Sequence, residues 1–145
     1  MKTAMRLTYR IARAERDMRQ SLDRALRPFD ITLMSWAVLS HIVREPGISV
    51  VELTRGTFIT QQAVSKILAA LEHERRIKRT PQPSDGRKWK LLATASGRRL
   101  AAACDQRVMA LEDLLREALG DDSARMDAML VLSSALFESF ARTPK

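Results

Sequence analysis

Within the run ISVVELTRGTFITQQAVSKILAALEHERRIKRTPQPSDGRKWKLL, from Ile48 to Leu92, the spacing of apolar residues switches from helical to strand-like, which restricts the fold more than anything else in the chain. Ser49 and Glu52 form a capping box at its start, hydroxyl and carboxylate reciprocally satisfying the free amides of a helix that begins near Val50. Thr60 supplies a second N-cap. Val64, Ile67, Leu68 and Leu71 then recur at i, i+3, i+4 and i+7, so a second helix buries one face and turns Gln61, Gln62, Ser65, Lys66 and Ala69 outward. From Ile77 the period changes to a short strand over 77–80, a proline-containing loop over 81–87 and a return strand over 88–92, a hairpin whose tip holds Asp85, Gly86 and Arg87.

Long helices flank this unit. Leu7, Ile11, Ala14, Met18, Leu22, Ala25 and Leu26 make one helical stripe, with Arg6, Arg10, Arg13, Arg16 and Arg19 on the other faces. Pro28 marks a boundary, and Thr32 caps a helix through Trp36, Leu39, Ser40 and Val43 that stops before Pro46 and Gly47. After Thr94 a helix of roughly 35 Å, at 1.5 Å per residue, carries Leu100, Cys104, Val108, Leu111, Leu115 and Ala118 and ends at Gly120. Asp121 and Asp122 open a last helix with Met126, Met129, Leu130, Ser133, Leu136, Phe137 and Phe140 on one side. A central unit of this size cannot cover three such stripes, so the surplus predicts a two-fold homodimer.

At 145 residues the chain suits one domain with an oligomerisation extension. Its net charge of +8 favours a polyanionic partner. The cations Arg75, Arg76, Lys78, Arg79, Arg87, Lys88, Lys90, Arg98 and Arg99 face a single acid, Asp85, between positions 75 and 99. No apolar run reaches the length that spans a bilayer, and a soluble protein without a membrane partner is expected. The acids Glu15, Asp17 and Asp23 argue against reading the arginine-rich N-terminus as a transit peptide. The lone Cys104 fits a reducing cytoplasm, and the separation of His41 from His73 speaks against a metal site. A glycine-rich phosphate loop and a nucleophile with its base are both missing, so neither an enzyme nor a bound cofactor is expected.

These residues together resemble the MarR family of bacterial winged-helix regulators, over nearly the whole chain. The matching residues are Trp36-Ala37-Val38-Leu39, Pro46-Gly47-Ile48-Ser49, Glu52-Leu53, Thr60 to Ser65, Leu71-Glu72, Pro83-x-Asp85-x-Arg87 and Thr94-x-x-Gly97. The chain departs from the family at Arg75, where a glycine usually ends the recognition helix, and at Arg76, where leucine is common. It departs again at Phe58 in the turn and at Gly86, which replaces the first arginine of the wing pair. The resemblance implies a mainly α fold with a small β-hairpin wing, a winged helix-turn-helix with long N- and C-terminal dimerisation helices. It implies a single domain, with dimerisation helices at 1–28 and 94–145 and a DNA-binding lobe at 32–93.

A recognition helix leads into the major groove with its N-terminal residues, here Thr60, Gln61, Gln62, Ala63, Ser65 and Lys66. Gln can pair bidentately with adenine, and the Ala63 methyl can touch thymine. The resemblance places Arg87 in the minor groove, with Asp85 holding the hairpin tip, while Lys88 suits a phosphate contact. Two modules on a dimer imply a pseudo-palindromic operator with half-sites about 10 base pairs apart. Most members of the family are repressors released by a small, often aromatic, ligand, for which Arg16, Met34, Trp36, His41 and Trp89 are candidates here. Two competing readings are a redox-responsive regulator acting through Cys104 and a winged-helix protein-interaction module that binds no operator.

Overall fold

The computed structural model describes residues 6–57, 59–82 and 84–141, with 85–88, 140 and 141 described by backbone alone. The elements run α1 (Leu7–Leu26), a 3-10 turn (Arg27–Phe29), α2 (Leu33–Arg44), α3 (Val50–Gly56), α4 (Gln61–His73), β1 (Ile77–Gln82), β2 (Asp85–Ala93), α5 (Ala95–Leu119), a second 3-10 turn (Gly120–Asp122) and α6 (Ser123–Ala141). The chain divides into two compact units, Met1–Val108 and Met109–Lys145.

In the first unit the expected caps are in place. Thr32 Oγ1 accepts the Ser35 amide at 3.2 Å, and the preceding helix adds to that start when Asp23 Oδ1 accepts the Leu33 amide at 2.8 Å. Ser49 and Glu52 close their capping box, with the Glu52 amide to Ser49 Oγ at 3.2 Å and the Ser49 amide to Glu52 Oε2 at 2.9 Å. Such caps each satisfy amides that a helix start leaves open, about 1 kcal/mol apiece.

The apolar faces of α2, α3, α4 and the hairpin meet in one core. Leu39, Ile42, Leu53, Val64, Leu68 and Leu91 are fully enclosed there, with Ile77, Ala93 and Ala101 beside them. Burial of a side chain of this size contributes about 1.5–3 kcal/mol. A second cluster joins Leu26 of α1, Leu33 of α2 and Cys104 of α5, with Trp36 packed against it.

The hairpin is longer than its sequence suggests. β1 continues to Gln82 and β2 begins at Asp85, so strand reaches into the loop expected over 81–87, with Pro81 paired to Trp89 and Gln82 to Asp85. The reason is that a two-stranded ribbon outside the core has little apolar alternation to show, and its polar residues resemble a loop. Pro81, without an amide hydrogen, is tolerated because β1 is an edge strand, and the register shifts between Pro81 and Gln82 as a bulge. On the other side of β2 a third short edge forms, through Gly47 N to Leu91 O at 2.9 Å and Leu91 N to Ile48 O at 3.0 Å.

Arg75 settles how α4 ends. Its φ is +58°, the left-handed conformation that glycine normally supplies, and the Arg76 amide reaches Leu71 O at 2.8 Å while the Arg75 amide reaches Glu72 O at 3.0 Å. That pair of bonds is a Schellman ending. The helix therefore terminates as a glycine would terminate it, with a side chain carrying the steric cost of about 1–2 kcal/mol.

The start of α5 is locked onto this ending. Thr94 Oγ1 accepts the Gly97 amide at 3.0 Å and donates to the carbonyls of Arg75 and Arg76, at 2.8 and 3.0 Å. A Cβ on Gly97 would stand 2.0 Å from the Arg76 carbonyl oxygen, so only glycine fits.

The second unit holds the end of α5 and all of α6. Gly120, at φ +54°, ends α5, and Asp121 and Asp122 lie in the 3-10 turn, so α6 starts at Ser123 rather than at the aspartates. Met109, Leu114, Leu115, Met126, Met129, Leu130, Leu136 and Phe137 are all exposed. Phe140 lies among the residues described by backbone alone. Among the described residues no helix is long and apolar enough to cross a membrane.

Candidate nucleic-acid interface

The start of α4 is built to present side chains. Thr60 Oγ1 accepts the Ala63 amide at 3.3 Å, which anchors the first turn. Val64, Leu68 and Leu71 are buried in the core, and Gln61, Gln62, Ser65 and Lys66 occupy the exposed side. Ala63 is half-buried and packed against the core, so its methyl is partly turned away from solvent.

Two hydroxyls have their bonding capacity divided by the backbone. Ser65 Oγ donates to Gln61 O at 3.0 Å, so its proton is committed and its lone pairs remain to accept. Thr60 is the reverse case: its oxygen accepts the cap bond and its proton stays free to donate. Ser65 is therefore suited to a base amino group and Thr60 to a phosphate oxygen.

Beside α4 the hairpin projects with Lys78 exposed and Lys90 half-buried. The backbone at Asp85, Arg87 and Lys88 is the first part of β2, and the side chains of these three lie outside the described residues, as does Phe58 entirely. Arg79 Nε donates to Glu72 Oε2 at 3.0 Å, a link between β1 and α4 that no sequence pattern signalled.

The five candidate ligand residues lie on α1, α2 and β2. Arg16 is exposed on α1, with its guanidinium 3.5 Å from Asp17. Met34 packs against the main core and Trp36 against the second cluster. Trp36 Nε1 donates to Asp105 Oδ1 at 2.8 Å, and Ser40 Oγ donates to the same oxygen at 3.3 Å, so Asp105 is a binding partner that sequence reasoning missed. His41 faces Glu45 at 3.4 Å and packs on Gly56, where an added Cβ would come within 2.7 Å of its ring. Trp89 is half-exposed and borders a groove of about 630 Å³ with Ser49, Val51, Gln82 and Lys90, a groove that none of the other four candidates lines.

Cys104 is fully buried between α1, α2 and α5. Burial, aided by the neighbouring Asp105 carboxylate, raises its thiol to about 11, so the nucleophilic thiolate is suppressed. The structure thus speaks against the redox reading. Among the described residues there is no cluster of His, Cys, Asp or Glu that could hold a metal ion.

Known proteins share this arrangement. A sequence model described as the MarR family matches residues 29–88. An HTH-type transcriptional repressor of Mycobacterium bovis is 33% identical over 111 residues, 72% of this chain and 80% of that protein. The solved structure of the transcriptional repressor CouR, bound to a 23-mer DNA duplex, aligns at a TM-score of 0.79 and 29% identity, over 90% of this chain and 92% of that one. The MarR family protein Rv2887 of Mycobacterium tuberculosis, in complex with salicylic acid, aligns at a TM-score of 0.67 and 27% identity, over 92% of this chain and 98% of that one.

Proposed function

Since this chain belongs to the MarR family, whose members are transcriptional regulators and not enzymes, we propose that it is a homodimeric repressor that binds a pseudo-palindromic duplex operator. The observation that carries this is the face of α4: Gln61, Gln62, Ser65 and Lys66 stand exposed on a helix whose opposite side is fixed in the core and whose first turn is capped. Similarity to a repressor solved on a DNA duplex supports it.

In this reading Gln61 and Gln62 meet base edges, and each good bidentate pair discriminates by about 1–3 kcal/mol. Ser65 accepts from a base amino group. Thr60 and Lys66 contact phosphates, and Ala63 adds an apolar contact at its exposed margin. Arg87 enters the minor groove and reads its negative potential, Asp85 holds the hairpin tip and Lys88 contacts phosphate. Residues 32–93 form the reading lobe, and residues 1–28 and 94–145 supply the dimer helices. The protein works in the cytoplasm, on the chromosome.

The similarity to a salicylate-bound relative supports a small aromatic acid as the releasing ligand. To release DNA, such a ligand must bind the non-matching lobe spacing more tightly, and about 5.5 kcal/mol of differential affinity reverses a 99:1 bias.

A gel shift with the chain's own upstream intergenic duplex tests the reading. Arg87→Ala is expected to lower affinity by about 5- to 160-fold, in line with the 1–3 kcal/mol of a specific contact. Binding is expected to fall about 10³- to 10⁵-fold between 50 and 200 mM salt if six to ten phosphates are neutralised. A flat salt response, or full affinity in Arg87→Ala, would favour the protein-interaction reading instead. Added salicylate is expected to dissociate the complex.

A further inference from the structure

We propose that Glu72 and Arg79 form a clasp that sets the angle of the hairpin against the recognition helix, so that both can engage one duplex. The proposal rests on the assignment of α4 and the hairpin to the major and minor grooves.

The first observation is an acid in an unfavourable place. Glu72 lies eleven residues beyond Gln61, close to three turns of helix, which returns it to the side of α4 that Gln61 and Ser65 share. A carboxylate there repels a polyanion. Its position is explained by what it holds: Arg79 Nε donates to Glu72 Oε2 at 3.0 Å.

The second observation is where Arg79 sits. Alternation along β1 puts Ile77, Arg79 and Pro81 on the same face of the hairpin. Ile77 is 2% exposed, the Arg79 side chain 31% exposed, and Pro81 exposed, so this face leaves the core as the strand runs outward. Across the ladder the partners follow the same gradient, from Ala93 and Leu91, both buried, to Trp89 at 45% exposure. Arg79 thus stands at the last rung with apolar support beneath it.

Beyond that rung the register shifts at Pro81 and Gln82, a bulge that re-aims the strand. Gln82 is three residues past Arg79, about 10 Å along the strand, so a swing of roughly 10° at the clasp moves the tip by about 2 Å. That displacement is enough to break a hydrogen bond to DNA. A half-exposed ion pair adds little to stability, and the role of this one is angular.

The test is affinity for the upstream intergenic duplex in a double-mutant cycle with Arg87→Ala, alongside thermal unfolding. Charge alone predicts that Glu72→Ala tightens binding, because an acid leaves the reading face. The clasp predicts the opposite sign, a loss of about 5- to 10-fold at an unchanged unfolding midpoint. In the Arg87→Ala background the same substitution is expected to cost less, about twofold, since of the hairpin contacts only that of Lys88 is then left to displace. The reciprocal exchange of Glu72→Arg with Arg79→Glu is expected to restore affinity to within about threefold. Binding by Glu72→Ala at or above native affinity would overturn the clasp while leaving the DNA-binding reading intact. An undiminished loss in the Arg87→Ala background would do the same. A native chain that binds no duplex, or an Arg87→Ala variant without effect, would instead remove the underlying assignment and the clasp with it.

Discussion

From Val38 to Ala101 the chain turns its aliphatic side chains away from water, and Val38, Leu39, Ile42, Leu53, Val64, Leu68 and Leu91 are wholly enclosed. From Met109 to Phe137 it does the opposite, leaving methionines, leucines and a phenylalanine in the open. Apolar residues are plentiful in both regions, so their supply alone does not explain the difference. The length of the elements matters more. The lobe folds α2, α3 and α4, of 12, 7 and 13 residues, back on one another and onto a hairpin, so each apolar face finds another nearby in sequence. A helix of 19 residues such as α6 exposes more apolar surface than its own segment can cover. One region is complete within the chain, and the other leaves open the apolar face that the proposed dimer would cover.

The sharpest way to break this contrast is to put a charge on the open face. Leu130→Asp is expected to turn the dimer into a monomer by light scattering and to lower operator affinity by about 10²- to 10⁴-fold, the usual gain from linking two modules. A variant that remains dimeric would show that α6 is not the interface. Truncation inside the lobe acts differently. Leu68→Ala is expected to cost about 2–5 kcal/mol in chemical denaturation, whatever the protein concentration. The matched Leu136→Ala, at a position 59% exposed in the single chain, is expected to show a cost that depends on concentration, as a dimer contact must.

Smaller effects separate the joints of the lobe from its core. Gly97→Ala forces a methyl against the Arg76 carbonyl and is expected to cost about 1–3 kcal/mol, read as a lowered unfolding midpoint. Arg75→Gly is expected to raise stability by about 1 kcal/mol, because glycine adopts the left-handed turn freely. A lowered midpoint in that variant would mean that the arginine side chain holds something in place.

Smallest of all is the expected response of Cys104. Its thiol is raised to about 11 in the fold, above the ordinary value of 9.0, so the folded state favours the protonated form. The stability tied to this is fully present below about pH 9 and is lost as pH rises from there toward 11, where the unfolded chain ionises first. Native protein at neutral pH is expected to resist a thiol reagent and to keep its DNA affinity in peroxide, whereas rapid labelling would reopen the redox reading.

What could be read from the sequence was local. Capping residues act within three positions, and helical stripes repeat within four, so Thr32, Ser49, Glu52 and Thr60 and the buried side of α4 were all legible. The hairpin limits were not, because strand pairing outside a core leaves no apolar alternation between Pro81 and Lys88. Nor was Asp105, whose bond to Trp36 spans 69 positions. The five candidate ligand residues follow from the family resemblance, which does not specify the side-chain contacts around them. Arg75 was legible as a conflict but not in its resolution, since the backbone kept the glycine conformation when the side chain changed.

The contact between Gly97 and the Arg76 carbonyl has a mechanical meaning. Most joints between helices are made of side chains, which change rotamer and so absorb small rotations. Here the Gly97 backbone lies directly against the Arg76 carbonyl, and Thr94 ties both carbonyls of the turn through its short β-branched side chain, so little slack is left. The joint has the build of a rivet, so a tilt imposed on the first turn of α5 is expected to carry to the end of α4, where Glu72 stands.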